Sequence, residues 1–501
     1  MHVFGLKYII QVVMKRGSRL VSNTLVLLLT VLVFLMFAFV GTKTGAATLS
    51  KPTHVSCYAK TYNSVSLKWN KVKSAKSYVV YKYNDSAKEY DKISVTRKSS
   101  YKITGLKKGT SYLFVVKSAK TTGGTVLSKP SQSLSVTTYY PKSYTITTSS
   151  LPCNKKMLKY SYYTAQTKSY YTIRSYMELF EKCGGGTLRL TSGVYSVTNT
   201  IFVPSNVTII LDNGAKIVKS KKTGSGLSPS HSIFHLIRPS KGKKSGVVGG
   251  YGGEKNIVFK GSGNATMDMK SETDSNCIET GHNTDITITG IAFKNAKHGH
   301  FIELDACKSV TITDCNFTGI VGDDVREAIN LDTPDKATGG YTAVWSKFDK
   351  TADYNVSISD CTFSNMGRSV GTHNYSYGHP HRHITITNCT MTGMRSYGIG
   401  LMYWEDSSIT GNSITGSDTA MKSKAAGILG KGVTSCTIKN NTIDNYYYGM
   451  LFKSEKSSGY PEISNHLTQD EISNLNHNTA DTTGFYYDNN DSDPIRLYFN
   501  R

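Results

Sequence analysis

Outside one segment near its N-terminus, this 501-residue chain has no apolar run that could cross a bilayer, and it is short of acidic side chains. Asp and Glu number 35 against 59 Lys and Arg, for a net charge of +24. The first shortage excludes a polytopic membrane protein. The second directs attention to anionic partners: nucleic acid, glycan or membrane. An even complement of cysteines is also missing. There are nine, and several fall at matching positions of a repeat, so few or no disulfides are expected and those thiols serve as small buried hydrophobes.

The exceptional segment is the apolar run from Leu25 to Val40, preceded by Lys15, Arg16 and Arg19 and followed by Gly45, Ala46 and Ala47. This is the layout of a secretory signal over residues 1–46, cleaved near Ala46, with an uncleaved anchor as the alternative. In both cases the remainder is secreted or held at the cell surface. Export argues against a nucleic-acid partner, and the membrane is a partner only if the segment stays attached.

Most of the remaining basic excess is local. Residues 51–139 carry 17 Lys or Arg against Asp85, Glu89 and Asp91, a balance of +14. An acidic cell-envelope polymer or a polyuronate is the expected partner of this basic stretch. Its runs VSLKWNKV, SYVVYKYN, SYKITGL and SYLFVVKSA alternate β-branched and aromatic residues between turn signals, as in a small β-sandwich. Trp69, Tyr78, Tyr81, Leu106 and Tyr112 resemble the core tryptophan, paired strand and tyrosine corner of fibronectin type III domains. In exported bacterial enzymes that resemblance implies a spacer or an adhesive appendage.

Residues 140–170 lack periodicity and read as a linker. From Ile173 to Cys183, apolar residues at helical spacing stop at Gly184, which suits a helix capping a stack of strands. The repeat then begins. DITITGIAF, VTITDCNF, VSISDCTF, ITITNCTM, SSITGNSI and CTIKNNTI align on Ile291, Cys315, Cys361, Cys389, Asn412 and Asn441 at spacings of 24, 46, 28, 23 and 29. One coil of a parallel β-helix takes a little over 20 residues, so the 46 contains an insertion around Pro334 to Lys350. The aligned cysteines and asparagines stack as a structural ladder.

The opening coils, GTLRLTSGVYSVTNTIFVPSNVTIILDNGAKI, resemble the start of the pectate-lyase-like superfamily. The fold expected is all-β: a right-handed parallel β-helix over residues 171–455, preceded by the fibronectin-like sandwich and followed by a polar tail over 456–501. The superfamily includes lyases, hydrolases, epimerases, esterases and phage tailspikes, so the resemblance implies a fold and not a reaction. The spaced aspartates, histidine motif and arginine–lysine pair of polygalacturonases are absent, although GDD at 322 echoes part of them.

Candidate chemistry comes from a second strand in each coil: FIELD, AINLD, SVGTH and GIGLM. The apolar parity faces the core, so the other parity faces outward. One outward column reads Glu303, Asn330, Gly371 and Gly400; the next reads Asp305, Asp332, His373 and Met402. Stacked carboxylates push one pKa up, which suits Asp332 and Asp305 as an acid and base for glycosidic cleavage, with Glu303, Glu327 and His373 in support. His298, His300, Asn330, Arg326, Arg368, Arg395, Tyr403 and Trp404 are the expected substrate-binding residues. No metal ligand set is assigned, and no cofactor is expected. Two alternatives stay open: His379, His381 and His383 as metal ligands, and Ca²⁺ at acidic residues such as Asp323 with Asp324. The leading function is cleavage of an extracellular polysaccharide. A calcium-dependent or basic-residue lyase and a non-catalytic glycan-binding adhesin are its alternatives.

Overall fold

The computed structural model describes residues 49–139, 142–322, 326–457, 459–481, 485–488 and 495–497. The signal or anchor over 1–46, and Asp323 with Asp324, lie outside them. Among the described residues no helix is long and apolar enough to cross a membrane.

The N-terminal region is built from seven strands. Ser77–Asn84 lies between Glu89–Thr96 and Ser111–Ala119, antiparallel to both, with Leu134–Thr137 at the edge; Ser56–Lys60, Val65–Lys68 and Ser100–Ile103 form a three-stranded sheet. Trp69 meets Tyr78 edge-on at 5.4 Å between ring centroids. Both rings are buried, as the fibronectin-like pattern requires.

Farther along the chain the strands wind into a parallel β-helix of three sheets, each taking one strand from each coil. Its alternating β-branched residues explain the winding. Ile257, Ile286, Val310, Val356 and Ile384 stand in register on successive coils, and all are buried. Each such side chain contributes roughly 1.5–3 kcal/mol by leaving water. Phe293, Phe317 and Phe363 stack at 4.9 and 4.8 Å in the same way.

The expected ladder is present at the corner of the coils. Cys315, Cys361 and Cys389 are buried, and Asn412 Nδ2 donates to Asn441 Oδ1 at 2.8 Å, as Asn441 Nδ2 does to Asn478 Oδ1. All nine cysteines are free thiols.

A helix over Lys168–Cys183 precedes the coils and ends at Gly184, whose φ of +79° is the left-handed value that glycine reaches at no steric cost. Tyr170, Ile173, Met177 and Phe180 form its buried face. Two stretches carry more structure than their composition suggests. Within the expected linker, Lys142–Ile146 pairs in parallel with Gly186–Leu190. Within the expected tail, Thr479–Ala480 pairs with Thr442–Asp444 and Phe485–Asp488 with Tyr448–Lys453. Sheet edges recruit such strands because backbone hydrogen bonding is indifferent to side-chain polarity.

The site-bearing sheet runs through Ile201–Phe202, Phe234–His235, Ile278–Glu279, Ile302–Asp305, Glu327–Asp332, Arg368–Gly371, Ile399–Met402 and Ala426–Lys431. After Asp332 the insertion, residues 333–353, leaves the coil before Tyr354–Ser359 resumes it. Backbone bonds tie it to the 247–248 segment: Val247 N–H to the Trp345 carbonyl and Lys347 N–H to the Val248 carbonyl, both 2.8 Å. Ile237, Val248, Tyr341, Ala343 and Trp345 form its own small core.

Candidate functional site

The outward column is longer than the four positions read from sequence. It runs Phe202, His235, Glu279, Glu303, Asn330, Gly371 and Gly400, one residue per coil. In the neighbouring column Asp305 stands opposite Asp332, and His373 follows two residues after Gly371. The inward parity is as expected, with Ile302, Leu304, Ile329, Leu331, Val370, Ile399 and Leu401 in the core.

Solvent access differs from the expectation that the outward parity is open. Asp305 and Asp332 are both 0% exposed. The insertion covers them: a Cβ at Gly340 would lie 3.1 Å from Asp332 Cγ, and the Tyr341 hydroxyl fills the space a Cβ would take at Gly281. Both Asp305 oxygens and Asp332 Oδ1 have no hydrogen-bond partner. Burial, with Glu303 and Asp332 beside it, pushes the Asp305 carboxyl well above its ordinary range. Burial also lifts Asp332 to about 6, against the pull of His373. An acid and base formed by Asp305 and Asp332 is therefore corrected. No sugar oxygen reaches either carboxyl through Gly340 and Tyr341.

Two cavities flank the insertion on this face. The first, about 500 Å³, is lined by Phe202, His231, His235, Asn276, Glu279 and Trp345. Burial alone would raise Glu279, but the charge of His235 and hydrogen bonds from His235, Ser232 and Asn276 hold it below its ordinary value. His235 Nε2 is 2.8 Å from Glu279 Oε2, as is Ser232 Oγ. On the next rung Glu303 is partly exposed and receives Asn276 Nδ2 at 2.8 Å. Its carboxyl is raised to about 8 by burial and by the charges of Glu279 and Asp332. Asn276 thus holds two glutamates whose protonation is driven in opposite directions.

The second cavity, about 370 Å³, is lined by Arg368, His373, Tyr397, Lys431, Lys453 and Glu455. Behind it Glu327 is fully buried yet held well below the ordinary carboxylate range by His373, His300 and Arg368, which outweigh its burial. Arg368 Nη1 lies 3.0 Å from Oε1, the Tyr397 hydroxyl donates to the same oxygen at 2.6 Å, and His373 Nδ1 is 3.2 Å from Oε2. His373 Nε2 is 3.4 Å from Asp332 Oδ2. Burial would lower His373, but Asp332 and Glu327 lift it to about 9, so it is an imidazolium at neutral pH.

The ligand atoms of His300, Glu327 and His373 lie within 4.8 Å of one another, a spacing a metal ion could use. Their surroundings do not fit one. Burial holds His300 neutral by lowering it to about 4, and its Nδ1 donates to the Glu327 carbonyl at 2.6 Å. The Glu327 carboxylate already faces Arg368 and a charged His373. A cation added there would sit against two others. His379, His381 and His383 do not converge either: His379 and His383 are exposed, while His381 is buried against Asp353 at 3.3 Å.

Of the other expected residues, Asn330 joins the site through Nδ2 to Asp332 Oδ2 at 3.2 Å, and Arg326 lies near enough to act on His300 and Glu303. His298 packs beside Gly322. Arg395 reaches the Ile320 carbonyl at 2.6 Å and is not among the residues lining either cavity. Tyr403 stacks with Tyr377 at 6.4 Å between centroids, outside both cavities. Trp404 is corrected as a sugar platform, because it is 0% exposed and its Nε1 donates to Thr372 Oγ1 at 2.9 Å. Sequence reading missed Glu279 and His235, whose strands are two residues long and show no alternation. The dipeptide Ile-Glu shared by CIET at 277 and FIEL at 301 was the available signal.

Residues 50–136 match the family model described as the fibronectin type III domain, and residues 333–493 match that described as periplasmic copper-binding protein (NosD). Among curated proteins the chain is similar to a poly(3-hydroxybutyrate) depolymerase of Ralstonia pickettii, 39% identical over 110 residues, which are 22% of this chain and 21% of that protein. It therefore spans about a fifth of that relative's length. Among solved structures it is similar to PfbA, a surface adhesin of Streptococcus pneumoniae, at 16% identity over 56% of this chain and 80% of that one, with a TM-score of 0.45. Similarity to a family 28 exopolygalacturonase of Yersinia enterocolitica is 12% identity over 81% and 94%, with a TM-score of 0.32.

Proposed function

For a chain in which a fibronectin type III domain precedes a parallel β-helix, we propose hydrolysis of glycosidic bonds in an extracellular polysaccharide, with Glu303 as general acid and Glu279 as its carboxylate partner. One observation carries this reading. On adjacent rungs the Glu303 carboxyl is raised to about 8 while Glu279 is held low, and Asn276 contacts both. Environments that push two carboxyl groups apart assign the acid and the base.

The chemistry follows from the spacing. Glu279 and Glu303 are paired on adjacent rungs, and side chains rising in parallel from rungs about 4.8 Å apart keep their carboxyl groups near the roughly 5–5.5 Å separation of retaining glycosidases. Glu279 attacks the anomeric carbon as Glu303 protonates the departing oxygen. Water then displaces Glu279, with Glu303 taking the water proton. The half-buried ring of Phe202 in the cavity wall offers a sugar an apolar face.

The test is release of reducing ends from a panel of plant and bacterial glycans, with the anomeric configuration of the first product followed by NMR. Retention is expected. A Glu303→Gln protein that keeps full turnover would overturn the assignment.

The second cavity favours a different reaction, β-elimination of a uronide, because Arg368, His373, Lys431 and Lys453 surround it. In that reading a basic side chain removes the C5 proton, the C4–O bond breaks, and a C4–C5 double bond forms as the leaving oxygen gains a proton. Ultraviolet absorbance of unsaturated products that survives in Glu303→Gln would favour it. Copper, named in the description of the family matched by residues 333–493, enters neither reaction, because the Glu327 cluster is occupied by the protein's own cations. Action outside the cytoplasm rests on the segment over 1–46.

A further inference from the structure

The four-stranded sheet of the N-terminal module carries a face rich in tyrosine and lysine. There Tyr83 stands opposite Tyr90, Tyr81 opposite Lys92, and Val79 opposite Lys117. Opposed residues of an antiparallel pair share a face, so three tyrosines and two lysines lie on one side of the sheet. Leu113, two residues from the Val115 that opposes Tyr81, is on the same side and 38% exposed. Tyr83 and Tyr90 meet edge-on at 5.1 Å, and the Lys117 ammonium is 5.2 Å from the Tyr81 ring. Tyr81, Tyr83, Tyr90 and Lys117 are all partly exposed, and Lys92 is exposed.

On this side Val79 and Val115 are buried beneath the tyrosines and lysines, and on the opposite side Tyr78, Val80, Phe114 and Val116 are buried in the core. The charge of the module is mostly of one sign: 17 Lys or Arg are spread over residues 51–139, against Asp85, Glu89 and Asp91 on the hairpin that also carries Tyr90 and Lys92.

We propose that this face, formed by Tyr81, Tyr83, Tyr90, Lys92, Leu113 and Lys117, is a docking surface for an anionic polysaccharide. Partly exposed tyrosine rings offer apolar surface to pyranose rings, and lysines interleaved with them meet carboxylate or sulfate groups along the same chain. A polymer supplies both features at a repeat comparable to the strand spacing of about 4.8 Å. A globular partner would need a larger apolar patch.

The experiment uses the full chain and immobilised polygalacturonate as the probe, with a neutral glucan as the control matrix. Lys92→Glu with Lys117→Glu should weaken retention about tenfold at low salt and much less at high salt, where screening removes the charge contribution. Tyr81→Ala with Tyr83→Ala should weaken it at both low and high salt. Lys73→Glu with Lys76→Glu changes net charge equally at exposed positions outside the face and should have a much smaller effect. Glu303→Gln should leave retention intact, so failure here is distinct from failure of the hydrolytic site. Equal loss in both charge-reversed pairs, or no loss in the first, would overturn the proposal. So would binding to anionic vesicles or nucleic acid with none to polygalacturonate.

Discussion

The two cavities on the third sheet share one backbone ladder and lie a few rungs apart, yet their chemistry is opposed. Toward the N-terminus Asn276 and Glu279 line a space with Phe202 and Trp345, and Asn276 also donates to Glu303 on the next rung. Toward the C-terminus Arg368, His373, Lys431 and Lys453 line a space with Glu455 in its wall, and Glu327 behind it pairs with Arg368 and His373. Between them Asp305 and Asp332 lie under Gly340 and Tyr341 without access to either. The fold supplies identical positions at each rung. What covers a rung, and what faces it from the next, decides whether its carboxyl is an acid, an anion or a buried liability.

The largest expected effect separates the Glu279–Glu303 pair from the second cavity. Glu303→Gln should lower kcat by about 10²–10⁴-fold, the usual contribution of a general acid, with thermal stability unchanged or higher. His373→Ala should leave a larger residual rate on neutral oligosaccharides. Steady-state kinetics beside thermal melts would show it, and equal losses would erase the distinction.

Next in size is the buried ion cluster. Glu327→Ala leaves Arg368 and the His373 imidazolium facing each other without their shared anion, and should cost about 3–5 kcal/mol by urea denaturation.

The pH profile then sharpens the comparison. Hydrolysis needs Glu303 protonated and Glu279 ionised, so the rate should fall as pH rises through about 8. A lyase reaction in the basic cavity needs an unprotonated base to take the C5 proton, so with His373 in that role its rate should instead rise with pH toward about 9.

The smallest effect tests the covered stretch. The folded-state pKa of Asp305 is raised, so its contribution is fully favourable below the unfolded value near 4 and is lost as pH rises toward the folded value. Asp305→Asn, which has no proton to lose, should therefore gain stability relative to the wild type as pH is raised from 3 to 9. Melts at the two pH values would decide it.

Residue pattern alone determined a good deal. A side-chain period of two placed Glu303 with Asn330 and Asp305 with Asp332, because a strand has no other way to alternate its faces. Repeat spacing gave the coils, and matched positions gave the cysteine and asparagine ladder, since identical residues on successive rungs must stack. Residues 333–353 have no such period, so where they fold was decided only by tertiary contacts with the 247–248 segment. Those contacts buried Asp332 and left Glu303 partly exposed on the neighbouring rung. Periodicity is local and can be read from the chain, whereas the solvent access that sets a carboxyl's pKa depends on residues far away in sequence.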